Sequence, residues 1–317
     1  MKVIEHLRKA NATLLSFEIL PPLKGKDIRS IYEGIDPLLE FKPSFINVTY
    51  HREEVVYKER GQGLLQKIRV RKRPGTVGIC AMIKAKYNID TVPHLICGGF
   101  TQEDTEDALI ELNFLGIDNV LALRGDAIKS EPAFIPERHG HGHAEDLIRQ
   151  IAGLNKGKYL HDEELEAAPT DLCIGAACYP EKHLEALNLE TDLAYLKRKV
   201  DAGAEYLVTQ MFFDNSRFFR FVERCRAAGI TVPIIPGLKP LTTLKHIAFI
   251  PKTFSIDLPQ ALASEVMKCK SDAEVKQLGI EWSISQTKEL IAEKVPCVHF
   301  YTMGKSDAVR TIVSASF

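Results

Sequence analysis

Residues 101–126, TQEDTEDALIELNFLGIDNVLALRGD, decide the fold. The stretch 101–115 reads as an amphipathic helix with a charged outer face, and Gly116 falls where that helix should stop. NVLAL at 119–123 then reads as a short strand, closed by Arg124-Gly125-Asp126. Near-continuous apolarity, rather than strict alternation, belongs to a strand covered on both faces, so helix plus strand here is one unit of a parallel sheet.

The same unit repeats in both directions. Further apolar runs stand at 13–20 (TLLSFEIL), 45–50 (FINVTY), 91–97 (TVPHLIC), 172–179 (LCIGAACY), 206–213 (YLVTQMFF), 232–236 (VPIIP) and 297–303 (CVHFYTM). Helices are predicted at 27–40, 144–153, 189–202 and 216–228, with a helical tail over 258–293, and Gly203 and Gly229 again stand at helix ends. Eight strands with helices between them predict an α/β fold, a (β/α)8 TIM barrel occupying 1–317 as a single domain. The rival, a doubly wound sheet, lacks a G-x-G-x-x-G after the first strand. Residues 155–170, polar and without apolar period, read as a surface insertion.

Composition agrees with such a core: 317 residues, 45% hydrophobic and 26% charged. Lys+Arg 41 against Asp+Glu 42 gives a net charge of −1, without the basic excess that nucleic-acid binding leans on. Seven cysteines with no C-x-x-C predict reduced thiols and a cytoplasmic protein. The first ten residues are charged throughout and no stretch approaches about 18 apolar residues, so neither export nor a membrane span is expected.

In a barrel of this kind function gathers where strands finish. Seven of the eight runs carry polar residues there: Glu18; Thr49 and Tyr50; His94; Arg124-Gly125-Asp126; Tyr179 with His183 after it; Gln210; Tyr301. Glu18, in SFEILPP, is costly to bury without purpose, and desolvation there should raise its pKa and suit it to general acid catalysis. The alternative is a salt bridge to a neighbouring strand. Gly125 lets a flat ligand approach the backbone, although an isolated Arg-Gly-Asp also reads as a plain turn. Lys197-Arg198-Lys199 fits either a phosphate contact or a solvated face. His139-Gly140-His141-Gly142-His143 has no Cys, Asp or Glu at ligand spacing and reads as a metal-free loop. RVRKR at 69–73 reads as surface.

Together these residues resemble the methylenetetrahydrofolate reductase family, flavoenzymes that make 5-methyltetrahydrofolate for methionine synthesis. The carriers span the chain: Ser16-Phe17-Glu18 with Pro21-Pro22, Val48-Thr49-Tyr50, Pro93-His94-Leu95, Ala122 to Asp126, Tyr179-Pro180-Glu181 with His183, Leu196 to Ala204, Thr209-Gln210 with Phe212-Phe213-Asp214, Pro236-Gly237 and His299-Phe300-Tyr301-Thr302. The resemblance implies a barrel holding FAD, with NADH or NADPH and a small-molecule folate taking turns at the flavin. On that resemblance Glu18 is the general acid that helps open the folate ring to a 5-iminium cation, and Asp126 stabilises that cation and tunes the flavin. Thr49, Tyr50, His94, Arg124, Gly125, Asp126, His143, Ala144, Tyr179, His183, Asp192, Arg198 and Lys199 would hold FAD. Gln210, His246, Tyr301 and Lys305 would meet the substrate. It also implies a homo-oligomer and no metal.

The chain departs from the family pattern in places. His51 stands where many relatives have glycine, His143 where Tyr or Phe is common, and His246 and Lys305 where some bacterial relatives have Gln and Arg. Ile250 replaces an aromatic lid residue found in some members, and regulation by the added domain of larger relatives is not expected at this length. Two other readings are a cofactor-free lyase or aldolase using Glu18 and Lys199, and a non-catalytic folate or flavin sensor. With no dinucleotide fingerprint, nothing in the sequence selects NADH or NADPH.

Overall fold

The computed structural model of the chain describes residues 1–128, 131–161 and 167–317. It opens with a short helix, α1 (Val3–Lys9), then β1 (Leu14–Ile19), α2 (Arg29–Ile35) running into a 3-10 turn (Asp36–Phe41), and β2 (Phe45–Val48). An antiparallel hairpin, β3 (Glu54–Glu59) and β4 (Leu65–Val70), precedes α3 (Thr76–Tyr87) and β5 (Asp90–Ile96). Then come α4 (Gln102–Phe114), β6 (Asn119–Leu123), α5 (Ala144–Leu154), β7 (Cys173–Cys178), α6 (Leu189–Ala202), β8 (Tyr206–Thr209), α7 (Asn215–Ala227), β9 (Ile234–Ile235) and β10 (Gly237–Leu238). The chain finishes with α8 (Leu244–Phe254), α9 (Gln260–Val266), α10 (Asp272–Ala292), β11 (Cys297–Tyr301) and α11 (Asp307–Ser316).

Among the described residues nine strands pair in parallel in the order β10-β11-β1-β2-β5-β6-β7-β8-β9, a nearly closed barrel with helices between strands, as the apolar runs predict. The expected seventh strand is where the ring is interrupted. Pro236 has no N–H to give, so β9 pairs with β8 on one side and β10 with β11 on the other, while the Pro236 carbonyl accepts from His299 N at 2.9 Å.

The inside of the barrel is filled in layers. Its lower layer joins Phe45, Val92, Leu121, Cys173, Tyr206, Ile235 and Cys297 to Val3 and Ile4 of α1, which closes the floor. The Val3 N–H donates to Asn119 Oδ1 at 2.7 Å and holds that plug in place. Gly175 is needed opposite Tyr206: a Cβ there would lie 2.4 Å from the tyrosine ring. A larger core lies between strands and helices, and a third cluster, with Leu241, Ile250, Leu262 and Val275, packs α8, α9 and α10 beside the mouth.

Local signals explain the helix limits. Thr101 caps α4 reciprocally with Asp104, and Asn188, Asp214 and Ser271 cap α6, α7 and α10. Gly116, Gly203 and Gly229 take positive φ at helix ends, as expected. The predicted helix at 27–40 is shorter because Pro37 turns its second half into the 3-10 segment. Four of the described helices, and the hairpin, are not expected from the apolar runs: α1, α3, α8 with Pro251 inside it, and α11. RVRKR runs through the end of β4 and on past it. Part of the stretch 155–170, namely 162–166, lies outside the described residues. Among the described residues no helix is long and apolar enough to cross a membrane.

Candidate active site

Parallel strands in register deliver their last polar residues to one rim. Glu18 pairs with Asn47 on one side and Tyr301 on the other, and it is only 7% exposed. Its Oε2 stands 3.4 Å from His94 Nε2, which also faces Asn47 Nδ2 at 3.3 Å. Burial pushes the Glu18 carboxyl up to about 7, against the pull of the Thr49 hydroxyl and the Lys239 ammonium. Burial, with the charge of His51, drives His94 down to about 3, so it is a neutral imidazole at working pH. Nε2 makes one hydrogen bond at a time, so when it carries no proton the Asn47 amide and a protonated Glu18 carboxyl are alternative donors to it. One layer down, His299 Nδ1 lies 2.9 Å from Ser16 Oγ and is also pushed to about 3, by burial and by His94. Among the described residues His299 Nε2 and Asn47 Oδ1 find no hydrogen-bond partner and are buried, two open polar atoms beneath the mouth.

A second group stands at the ends of β6 and β7. Arg124 forms a bidentate pair with Glu185 at 2.5 and 2.8 Å and lies over the Phe134 ring at 5.0 Å. Gly125 has φ +84°, and a Cβ would press on Ile96 at 3.3 Å. Asp126 is exposed, and its charge acts on His51, Arg124 and Tyr179. The Tyr179 and His183 rings meet edge-on at 4.7 Å, and His183 N donates to Asp192 Oδ2 at 2.9 Å. Lys199 Nζ donates to the Ala177 carbonyl at 3.0 Å, and burial pulls its pKa down.

Arg198, its neighbour in sequence, turns away to Glu145 Oε2 at 2.7 Å on α5. His143 and Ala144 form the start of α5, where the His143 N–H donates to Asp146 Oδ2 at 3.3 Å. In the same loop His141 Nε2 is 2.5 Å from Gln150 Oε1, and the His139 carbonyl accepts from Gln102 N at 3.0 Å. Tyr50 accepts from Arg71 at 2.9 Å and packs edge-on against Phe100. Thr49 Oγ1 donates to the Ile19 carbonyl at 3.0 Å, tying β2 to β1.

A third group closes the ring. The Tyr301 hydroxyl donates to the Thr209 carbonyl at 2.6 Å, spanning β11 to β8 across the broken seventh strand. Gln210 N donates to the Cys178 carbonyl at 2.8 Å, while its Oε1 accepts from Met211 N at 3.0 Å. His246, on the first turn of α8, accepts from Thr242 N at 3.2 Å, and burial together with the Lys239 charge lowers its pKa. Lys305 is exposed in the loop after β11.

Ile250 is fully buried among Met211 and Leu241, so it covers nothing at the mouth; Phe249 is the exposed aromatic of α8. Lys239 joins this group although the sequence reading passes over it. It is the polar end of the one strand that seemed to lack such a residue, once that strand is followed past Pro236 through β10. Glu18, His94, Asp126, Tyr179, Lys199, Gln210 and Tyr301 thus share the rim, whereas Arg198 faces α5.

The sequence profile of methylenetetrahydrofolate reductase matches residues 2–316. The chain belongs to the methylenetetrahydrofolate reductase family. The 5,10-methylenetetrahydrofolate reductases of Salmonella typhimurium and Escherichia coli are each 31% identical to it over 294 residues, covering 92% of this chain and 87% of theirs. Methylenetetrahydrofolate reductase 1 of Schizosaccharomyces pombe is 31% identical over 300 residues, covering 94% of this chain and 45% of its own. The chain spans about half the length of its fungal, plant and animal relatives. Those relatives include proteins named for NADH, as in Zea mays, and for NADPH, as in Caenorhabditis elegans. Among solved structures, a Clostridium thermocellum protein described as binding two copies of 5-methyl-5,6,7,8-tetrahydrofolic acid superposes with a TM-score of 0.60. It covers 99% of this chain and 98% of its own at 14% identity, a likeness of fold.

Proposed function

We propose that this member of the methylenetetrahydrofolate reductase family reduces 5,10-methylenetetrahydrofolate to 5-methyltetrahydrofolate with NADH or NADPH, in two half-reactions that alternate at one FAD. The observation that carries the reading is Glu18: a buried carboxyl near half-protonation at neutral pH, at the mouth of the barrel, beside a neutral imidazole.

The residues present fit FAD. Gly125, at φ +84°, puts no side chain over the backbone at the end of β6, and Arg124 and the buried Lys199 bring cations to the same rim as Tyr179. Lys199, with Arg124 once released from Glu185, would meet the diphosphate, and Tyr179, His183 and Asp192 would help hold FAD. Thr49, Tyr50, His94, Gly125, Asp126, His143 and Ala144 would line the remainder, and Arg198 would contribute charge from the helix face. When bound, FAD supplies the hydride chemistry that no side chain can.

The chain's own residues do the rest. Glu18 gives its proton to a folate ring nitrogen: its O–H breaks as an N–H forms, the five-membered ring opens, and the carboxylate is left on Glu18. Asp126, exposed and anionic on the adjoining rim, stabilises the cation that ring opening creates. Gln210 orients pterin and nicotinamide in turn, once its amide oxygen leaves Met211 N. Tyr301, His246 and Lys305 position the folate. The product would feed methionine synthesis and one-carbon metabolism.

Purified protein reconstituted with FAD tests the reading. It should be yellow, and Glu18→Gln should still be bleached by reduced nicotinamide while losing about 100-fold or more in reoxidation by methylenetetrahydrofolate. Equal loss of both half-reactions would remove Glu18 from the acid's role.

A further inference from the structure

Lys239 follows β10 directly. Gly237 pairs with His299 and Leu238 with Phe300, so Lys239 comes level with Tyr301, which in turn pairs with Glu18. Three adjacent parallel strands thus set a lysine, a tyrosine and a glutamate side by side in the ring that closes the barrel's mouth. Side chains two apart on a strand share a face. Gly237, two residues before Lys239, faces inward, since a Cβ there would lie 2.7 Å from the Tyr301 ring.

The Tyr301 hydroxyl is committed to the Thr209 carbonyl and leaves the space between lysine and glutamate unbridged. Among the described residues the Lys239 ammonium takes part in no hydrogen bond and no ion pair within 4.0 Å. An ammonium half-buried in a barrel mouth without a direct anion is unfavourable on its own, and the nearest compensation is a carboxylate acting through space.

We propose that Lys239 is a positioning residue for the acid: its ammonium, level with Glu18 across Tyr301, is the countercharge that stabilises the Glu18 carboxylate after the proton has left. As a statement about the reaction, this rests on the reductase reading above.

The other groups facing Glu18 do not supply that charge. From β2 come Asn47 and Thr49, both neutral. From β5 comes His94, at 3.4 Å but uncharged, because burial holds it at about 3. From β11 comes Tyr301, whose burial keeps its phenol protonated. Beneath lies His299, also neutral, held to Ser16 of β1. His51 acts on His94, and Arg73 and Asp126 act in turn on His51. Facing Lys239 from α8 is His246, which that lysine helps keep uncharged, with Asp272 and Lys305 behind it. Lys239 and Glu18 answer one another: the carboxylate counters the drop that burial imposes on the lysine, which settles at about 8, and the lysine counters the rise imposed on Glu18.

The consequence is a trade. With the lysine present, Glu18 is a stronger acid toward the folate but gives up its proton at lower pH. Without it, Glu18 stays protonated further into the alkaline range and is a poorer donor.

The test is an infrared titration of the Glu18 carboxyl band in the holoenzyme, the band being identified by its loss in Glu18→Gln. In Lys239→Met the midpoint should rise by about 1 pH unit or more, and Lys239→Arg should bring it back toward the wild-type value. If Lys239→Met fails to fold, Lys239→Gln makes the same comparison with a neutral polar head. A midpoint that stays in place without the charge overturns the proposal. The rate of flavin reoxidation by methylenetetrahydrofolate, followed against pH in the same variants, should move its alkaline limb upward while its plateau falls. A role confined to packing would lower the plateau and leave the limb where it is. Wild-type enzyme that methylenetetrahydrofolate does not reoxidise would sink the reductase reading, while the infrared midpoint would still decide the Lys239–Glu18 coupling.

Discussion

His94 Nε2 stands 3.4 Å from Glu18 Oε2, both side chains buried, and the pair sits where β1 and β5 open into the mouth of the barrel. One partner is a carboxyl raised to about 7 and the other an imidazole lowered to about 3, so this is a contact between groups that are both neutral in mildly acidic solution. Their opposite shifts give the two groups opposite pH dependences.

Glu18 is held above its ordinary value, from 4.5 to about 7, so the native state keeps a proton that the unfolded chain releases. Its contribution is therefore intact below pH about 4.5, is lost as pH rises through the folded value, and costs roughly 3 kcal/mol above that, at 1.36 kcal/mol per pH unit. Glu18→Gln should raise Tm at pH 8 and change it little at pH 4. A Tm gap that grows toward acid would contradict the assignment. A rise in Tm at pH 8 makes Glu18 an instance of a site residue that function retains against stability.

His94 and His299 run the other way. Both are lowered from 6.5 to about 3, so the unfolded chain takes up protons that the native chain refuses, and stability falls as pH drops below about 6.5. Nitrogen NMR of the labelled protein should show neither imidazole titrating between pH 5 and 8. A midpoint near 6 for either ring would remove it from the buried column under Glu18.

Lys199→Met should weaken FAD binding by about 10-fold or more, the scale of one charge-assisted hydrogen bond. The salt dependence of binding should flatten too, because one cation has been removed from the diphosphate contact. Flavin fluorescence titrated at two salt concentrations measures both, and an unchanged affinity would take Lys199 out of the cofactor site.

Gly237→Ala tests the packing behind the rim. A Cβ there would lie 2.5 Å from the Thr209 carbonyl oxygen and 2.7 Å from the Tyr301 hydroxyl, the two partners of the bond that spans the broken strand. Destabilisation of about 1–3 kcal/mol is expected, read as a drop of several degrees in Tm by calorimetry. No change would mean that the Tyr301–Thr209 bridge is not held as described.

The barrel was legible because its strands are apolar on both faces, and Phe45, Val92, Leu121 and Ile235 signal burial whatever their neighbours. The β3–β4 hairpin was not, since Tyr57, Leu64 and Leu65 stand in solvent and no burial pattern marks them as strand. The rim residues Glu18, His94, Asp126 and Tyr301 were visible as polar ends of apolar runs. Lys239 was hidden by Pro236, which reads as a strand's end when it is only a missing donor in the ladder. Arg198 and Lys199 are adjacent in sequence, yet helical rotation sends one to Glu145 and the other to the Ala177 carbonyl, a separation that only three dimensions resolve. Similarly, Ile250 occupies a lid position by sequence, but it lies on the buried face of α8, packed with Met211 and Leu241.

The measurement closest to the central claim is an anaerobic stopped-flow record of flavin absorbance in the reconstituted wild-type protein, with NADH, NADPH and methylenetetrahydrofolate offered separately. The account predicts that at least one reduced nicotinamide bleaches the flavin and that methylenetetrahydrofolate alone then restores its colour. A protein that takes up no FAD, or whose reduced flavin methylenetetrahydrofolate leaves bleached, would contradict it.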